Sequence, residues 1–319
     1  MSVLAYSVKL ARLMLAAGLF ATLLLGGPRP SYGDDRVEEA KRDYAEAEQA
    51  VKDGRLAVAR EALLSALRLV PRYSDAEFLL AVIEERSQRW QDAIDHYKKS
   101  LEIGPELAMH HYGIGVCQEM LGDLKAARTS LEKAHELAAA TVTEAAGQAS
   151  IKQALAEIDY HLACVARDAG DDAECRKRLD LGLSEDPGTP RTLGAKLLSE
   201  KGALLLRTSD PAGAVKALEK ALELLPDDLP ALYKLGRALV AAGREAEGKA
   251  KLERYEKLDA ERREKVNEQR RKDQAEVLAT QAQSALKAGH KEEARALAKQ
   301  AYGMDPSNTT AVSVLQATQ

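Results

Sequence analysis

Two histidines, a cysteine and a methionine fall within eleven positions of the stretch HHYGIGVCQEMLGDL, His110 to Leu124. These side chains are the ones that hold copper, zinc or haem iron. Their spacing argues against a shared ion. His110 and His111 are adjacent, so on a helix they point about 100° apart. His111 and Cys117 also fall on different helix faces. His161 and Cys164 are three apart and share a face, which makes them the better pair, but a structural zinc needs four ligands. The expectation is therefore no metal and no cofactor, with these residues serving helix packing.

Catalytic patterns are missing as well. The chain contains no G-x-x-x-x-G-K-[ST], no G-x-G-x-x-G after a strand, no H-E-x-x-H and no G-x-S-x-G. No catalytic residue is assigned, and the chain is expected not to be an enzyme.

The elements that carry these residues follow from composition and period. Of 319 residues, 45% are apolar and only 4% aromatic, and Ala, Leu, Glu, Lys and Arg dominate. These lose little freedom in helices. Net charge is −4 with both signs interspersed, so the broad basic field that nucleic acid requires is absent. Residues 1–33 differ from the rest. Lys9 and Arg12 precede the apolar run Leu13 to Gly27, then PRPSYG and an acidic pair. This pattern reads as a secretory signal peptide cut after Gly33, which predicts a periplasmic or secreted protein with no membrane span once it is removed. The alternative is an uncleaved segment anchoring the chain to the inner membrane, although the run falls short of the roughly 20 residues a spanning helix needs.

Beyond residue 33, prolines and turns recur. ALRLVP, SLEIGP and ALELLP end at Pro71, Pro105 and Pro226, and variants end at Pro187 and Pro306. Upstream of each proline comes a turn: DGR at 53–55, SQR at 87–89, AGD at 169–171, TSD at 208–210 and AGH at 288–290. LGD at 121–123 and AGR at 242–244 extend the series. Small residues flank every turn: Ala47 with Ala59, Ala81 with Ala93, Gly115 with Ala127, Ala163 with Cys175, Gly202 with Ala214, Gly236 with Gly248, and Ala282 with Ala294. Two helices that cross closely leave room only for compact side chains there, and proline ends the second helix. The pattern predicts a helical-hairpin repeat.

The segments Tyr233 to Tyr255 (YKLGRALVAAGREAEGKAKLERY) and Tyr112 to Ala134 (YGIGVCQEMLGDLKAARTSLEKA) resemble the tetratricopeptide repeat family in their Gly-turn and small-residue spacing. Seven copies emerge, at 40–73, 74–107, 108–141, 156–189, 195–228, 229–262 and 275–308. The resemblance implies an all-α, right-handed superhelical solenoid of stacked helical hairpins over 34–319. Copies three and six lack the closing proline, and the family's tryptophan is missing from the first helix. The tail after Ser307 could start a helix that shields the last copy. Inserts interrupt the register at 142–155 and 263–274, with a shorter loop at 189–194. The charged insert 263–274 reads as a solvated helix with Glu261–Lys265 and Glu268–Lys272 at helical spacing. A binding arm or coiled-coil strand is the other reading, though no heptad seam supports it.

Cys164 and Cys175 both fall near the crossing of one hairpin. An oxidising compartment would permit a bridge between them; otherwise Cys175 simply replaces alanine as a compact apolar residue. The resemblance also places the first helix of each hairpin on the concave face, where partners lie. One first-helix position is aromatic in five copies: Tyr44, Phe78, Tyr112, Tyr160 and Tyr233. Neighbouring positions hold Glu48, Val82, Val116, Glu119, Arg167, Arg207 and Arg237. The rings either pack the repeat itself or form a stripe for an extended peptide or helix. Glu48 and Val82 stand where chaperone-tail receptors of the family carry asparagine, so that ligand is not expected. The leading expectation is a non-enzymatic exported scaffold or adaptor that binds a protein or peptide in the bacterial cell envelope. Self-assembly into a structural homo-oligomer, and binding of glycan or peptidoglycan, are the alternatives.

Overall fold

The computed structural model describes residues 34–141, 148–184 and 190–319. The expected signal segment at 1–33 lies outside the described residues, as does the start of the insert at 142. The described residues form helices joined by turns, in two compact units divided after Pro226.

The first unit contains α1 (Asp34–Lys52), α2 (Leu56–Leu69), α3 (Ser74–Arg86), α4 (Trp90–Ile103), α5 (Ala108–Met120), α6 (Leu124–Ala140), α7 (Gln148–Asp168), α8 (Asp172–Ser184), α9 (Arg191–Arg207) and α10 (Pro211–Leu224). Consecutive pairs form five antiparallel hairpins, and each hairpin packs its second helix on the first helix of the next. The first helices α3, α5, α7 and α9 also touch in succession and so share one face. Helix α7 is 21 residues long because the alanine-rich insert extends it at its start.

Every small residue at a predicted crossing is buried, from Ala47 and Ala59 to Ala282 and Ala294. At the third hairpin a Cβ on Gly115 would stand 2.7 Å from the Leu131 side chain, so the glycine is required for the helices to approach. Each turn closes the same way, with a backbone N–H reaching the carbonyl five residues back. Examples are Arg55 to Ala50, Asp123 to Gln118 and Asp210 to Leu205, at 2.8, 3.0 and 2.8 Å. This bond satisfies a carbonyl that the helix end leaves open and places the turn residue at positive φ. Gly54, Gly122, Gly170, Gly243 and Gly289 take that position at φ 75–86°. Gln88 and Ser209 hold it in the other two turns, where a side chain carries a steric cost. Asp123, Asp171 and Asp210 then cap the second helices by accepting from the amides of Ala126, Glu174 and Gly213.

The second unit contains α11 (Leu229–Ala241), α12 (Glu245–Lys287), α13 (Lys291–Met304) and α14 (Thr309–Ala317). The copies expected at 229–262 and 275–308 are joined without a turn. One 43-residue helix, α12, serves as second helix of the sixth hairpin and first helix of the seventh. Its N-terminal part packs on α11, while its C-terminal part packs on α13 and α14 through Ala275, Ala279, Ala282, Ala294, Ala298 and Ala301. Between them, residues 260–274 are exposed on every side, spanning about 22 Å at 1.5 Å per residue. This stretch contains the charged insert 263–274 and carries the Lys272–Glu268 pair at 2.6 Å. A helix polar all round can bridge solvent in this way when charge pairs support it. Helix α14 closes the last hairpin, with Ala311 and Val314 buried.

Candidate functional site

The shared face of α3, α5, α7 and α9 gathers polar groups that side-chain periodicity places together. On α7, Glu157, Tyr160, His161 and Cys164 recur at helical spacing, and Lys196 and Glu200 do the same on α9. Helix α5 adds Tyr112, Val116 and Glu119, and α3 adds Phe78, Val82 and Glu85. His161 Nδ1 lies 2.7 Å from Glu119 Oε2, bridging α7 and α5. The edges of the Tyr112 and Tyr160 rings meet the imidazole with centroids 5.5 and 5.2 Å away. Lys196 Nζ stands 5.5 Å over the Tyr160 ring. From α4, the Tyr97 hydroxyl donates to Glu85 at 2.8 Å. Tyr97 reaches there because Gly113 has no side chain: a Cβ would sit 2.4 Å from Tyr97 Cζ.

Burial governs the electrostatics. It pushes the Glu157 and Glu85 carboxyls above the usual range, with His161 opposing in both cases. Burial works to lower the His161 pKa, but the hydrogen bond and charge of Glu119, aided by Glu157, carry it above the ordinary histidine value. The Tyr112 and Tyr160 phenols are held well up by burial and so stay neutral. Glu157 is 3% exposed and His161 7%, yet Glu157 Oε2 and His161 Nε2 have no hydrogen-bond partner. Buried polar atoms are nearly always paired, so these two open positions mark the face.

The aromatic residues divide by environment. Tyr44 packs on Tyr73 at 5.3 Å, and Phe78 packs on both Tyr97 and His110 at 5.5 and 5.1 Å. Tyr112 and Tyr160 are half-buried against His161. Tyr233, in the second unit, is 43% exposed and stacks on Tyr255 at 5.3 Å, with Arg237 5.9 Å over its ring. The arginines are mostly engaged within the chain. Arg167 binds Asp168 and Glu200, each at 2.7 Å, and Arg207 pairs with Asp172.

Cys117, Cys164 and Cys175 are free thiols in this structure, all buried. Cys175 packs in the core with Ala163 and Leu179. Cys164 faces Tyr160 and Arg167, whose Nη1 is 3.9 Å from its sulfur. Burial pushes the Cys164 thiol up to about 12, so it is a poor nucleophile. Among the described residues no cluster of three His, Cys, Asp or Glu side chains is arranged to hold a metal. His110 meets Ser100 at 3.0 Å, His111 meets Glu106 at 2.8 Å, and Met120 is exposed. Sequence reasoning missed Glu85, Glu157, Lys196 and Glu200. Their spacing on first helices was visible, but not that burial would leave some of them short of partners.

Two stretches, residues 44–108 and 205–268, match the tetratricopeptide repeat family. With the hairpin stack and its crossings, the match settles the class. The chain is a tetratricopeptide-repeat protein. No curated protein matches this tetratricopeptide-repeat chain in sequence. Solved structures match its fold. A structure described as functional characterisation of Pseudomonas aeruginosa pilF is 16% identical with a TM-score of 0.54, covering 71% of this chain and 99% of that one. PilW, described as a type IV pilus biogenesis factor, is 17% identical with a TM-score of 0.53, covering 67% and 91%. A tetratricopeptide repeat protein from Parabacteroides merdae is 15% identical with a TM-score of 0.52, covering 88% and 99%. At these identities the likeness is one of fold.

Proposed function

We propose that this protein is a non-enzymatic scaffold, exported to the bacterial cell envelope, that holds a protein or peptide partner on the first-helix face of its first unit. Tetratricopeptide-repeat proteins bind such partners. The observation that carries the reading is the pair of buried, unpartnered atoms on that face, Glu157 Oε2 and His161 Nε2. A rigid hairpin stack presents such groups with little ordering cost on binding. Export rests on the basic, apolar and small-residue succession at 1–33. Among the described residues no helix is long and apolar enough to cross a membrane.

A photo-crosslinking residue at Lys196 or Arg207 on α9, used in living cells, tests the binding face. The same group at Lys133 on α6 or Arg176 on α8 is the control. The reading requires one discrete adduct from the α9 positions and none from the controls; equal adducts from both sets contradict it. Fractionation of cells making the chain with and without 1–33 tests export.

Self-assembly is a second reading, favoured by the helix surface bare on every side at residues 260–274. Light scattering across concentration decides it, since a monomer throughout excludes it.

A further inference from the structure

Three carboxylates from three successive first helices surround the Tyr112 and His161 pair: Glu85 on α3, Glu119 on α5 and Glu157 on α7. All three act electrostatically on Tyr112. Their partners are unequal. Glu119 has the His161 imidazole. Among the described residues, Glu85 has only the neutral Tyr97 hydroxyl. Among the described residues Glu157 has neither a hydrogen bond nor an ion pair, and its Oε2 is shut off from solvent. A buried carboxylate without a partner is costly and escapes that cost by taking up a proton.

The cations that face this cluster are Arg86 on α3, His161 and Arg167 on α7, and Lys196 on α9. Arg167 is spent on Glu200 and Asp168. Lys196 lies over the Tyr160 ring, with no ion-pair contact to Glu157. The Arg86 guanidinium has two buried nitrogens, Nε and Nη1, without partners, and forms no ion pair with Glu85 among the described residues. In this arrangement none of these cations donates to Glu157 Oε2, which stays without a hydrogen-bond partner. Tyr160 shows that a ring on this face accepts a cation.

We infer that this face takes a basic side chain, arginine or lysine, of the partner peptide, seated between Glu85 and Glu157 beside the Tyr112 ring. The inference rests on the proposed peptide-binding reading and adds the chemistry of the occupant. A guanidinium or ammonium supplies the donors that Glu157 Oε2 lacks, and its charge holds both carboxyls ionised. Binding a basic residue thus releases protons from the face. Lys196 competes for the same carboxylate.

The test uses fluorescein-labelled random dodecapeptide pools with Arg, Lys, Gln, Leu or Glu fixed at the central position. Fluorescence polarisation is read against the full chain. The Arg and Lys pools are expected to bind roughly tenfold or more tighter than the Gln pool, the scale of one hydrogen bond to a charged group. Glu85→Gln combined with Glu157→Gln removes that preference, bringing the Arg and Lys pools to the affinity of the Gln pool, and Lys196→Met enlarges it. Both glutamine changes keep side-chain shape, and a melting curve confirms that the double variant is folded. A tighter Glu pool, indifference to the central residue, or a preference that survives the double variant overturns the basic-residue assignment while peptide binding stands. If no pool binds, the peptide-binding reading fails, and this inference with it.

Discussion

His161 Nδ1 lies 2.7 Å from Glu119 Oε2, tying the first helices of the third and fourth hairpins together across 42 residues of sequence. The contact is nearly sealed from water, and it joins packing to the binding face. The same imidazole that staples two hairpins presents Nε2 without a partner to the face.

This pair makes stability depend on pH. The raised His161 pKa means the folded chain holds that proton more tightly than the unfolded chain. Its contribution is full below the unfolded value of 6.5 and is lost as pH rises through the folded value. His110 behaves oppositely, because burial lowers it from 6.5 to about 4. Its contribution is present above 6.5 and lost as pH falls toward 4. The melting-temperature gap between the parent chain and His161→Gln should therefore narrow as pH rises above 6.5. The gap to His110→Gln should widen from acid toward neutral pH. A His161 gap that grows with pH would refute the assignment.

Helix crossings set a second expectation. Gly113→Ala drives a Cβ into the Tyr97 ring, 2.4 Å from Cζ, and should cost about 1–3 kcal/mol as overpacking does. Gly303→Ala on α13 meets nothing within 4 Å and should stabilise by about 0.5 kcal/mol through helix propensity. Denaturant titration of the two variants separates steric crowding from propensity; equal shifts would show that the ring does not constrain the site.

Turn conformation supplies a third. Gln88 and Ser209 sit at φ 59° and 60°, where the other hairpins place glycine. Gln88→Gly and Ser209→Gly should each raise stability by about 0.5–1 kcal/mol, because glycine removes a steric cost in the left-handed region. A lowered thermal midpoint in both would mean that the side chains contribute more than the backbone loses.

Charge pairs differ by burial. Arg178 reaches the fully buried Asp159 at 3.1 Å and also holds Glu174 at 2.6 Å. Arg178→Ala leaves that buried carboxylate with the His135 imidazole 3.6 Å from its Oδ2 but without its guanidinium, and should cost about 3–5 kcal/mol. Lys272→Ala removes an exposed partner of Glu268 on the bare part of α12 and should leave melting unchanged. Comparable losses from both would contradict this ranking.

Much of the fold was legible because the repeat imposes steric rules on single positions. Ala47 and Ala59 through Ala282 and Ala294 are small because helices cross there, and that rule is local. The fusion of two hairpins into α12 was only half visible. The absence of Gly and Pro from 249–288 was plain, yet whether the chain turns there depends on tertiary packing. The face was harder still. Tyr112 and Tyr160 were found as an aromatic recurrence, whereas Glu157 looks like any helix carboxylate until its burial is known. Glu85 and Glu157 lie 72 positions apart, and no local pattern announces that they share one tyrosine neighbour.

The central claim is that partners engage the first-helix face of the first unit. Hydroxyl-radical footprinting of the chain with its captured partner tests it most directly. Protection is expected at Tyr112 and Tyr160, with no change at Leu64, Leu101 and Leu183 on second helices. Protection at those second-helix leucines with the tyrosines unchanged would contradict it.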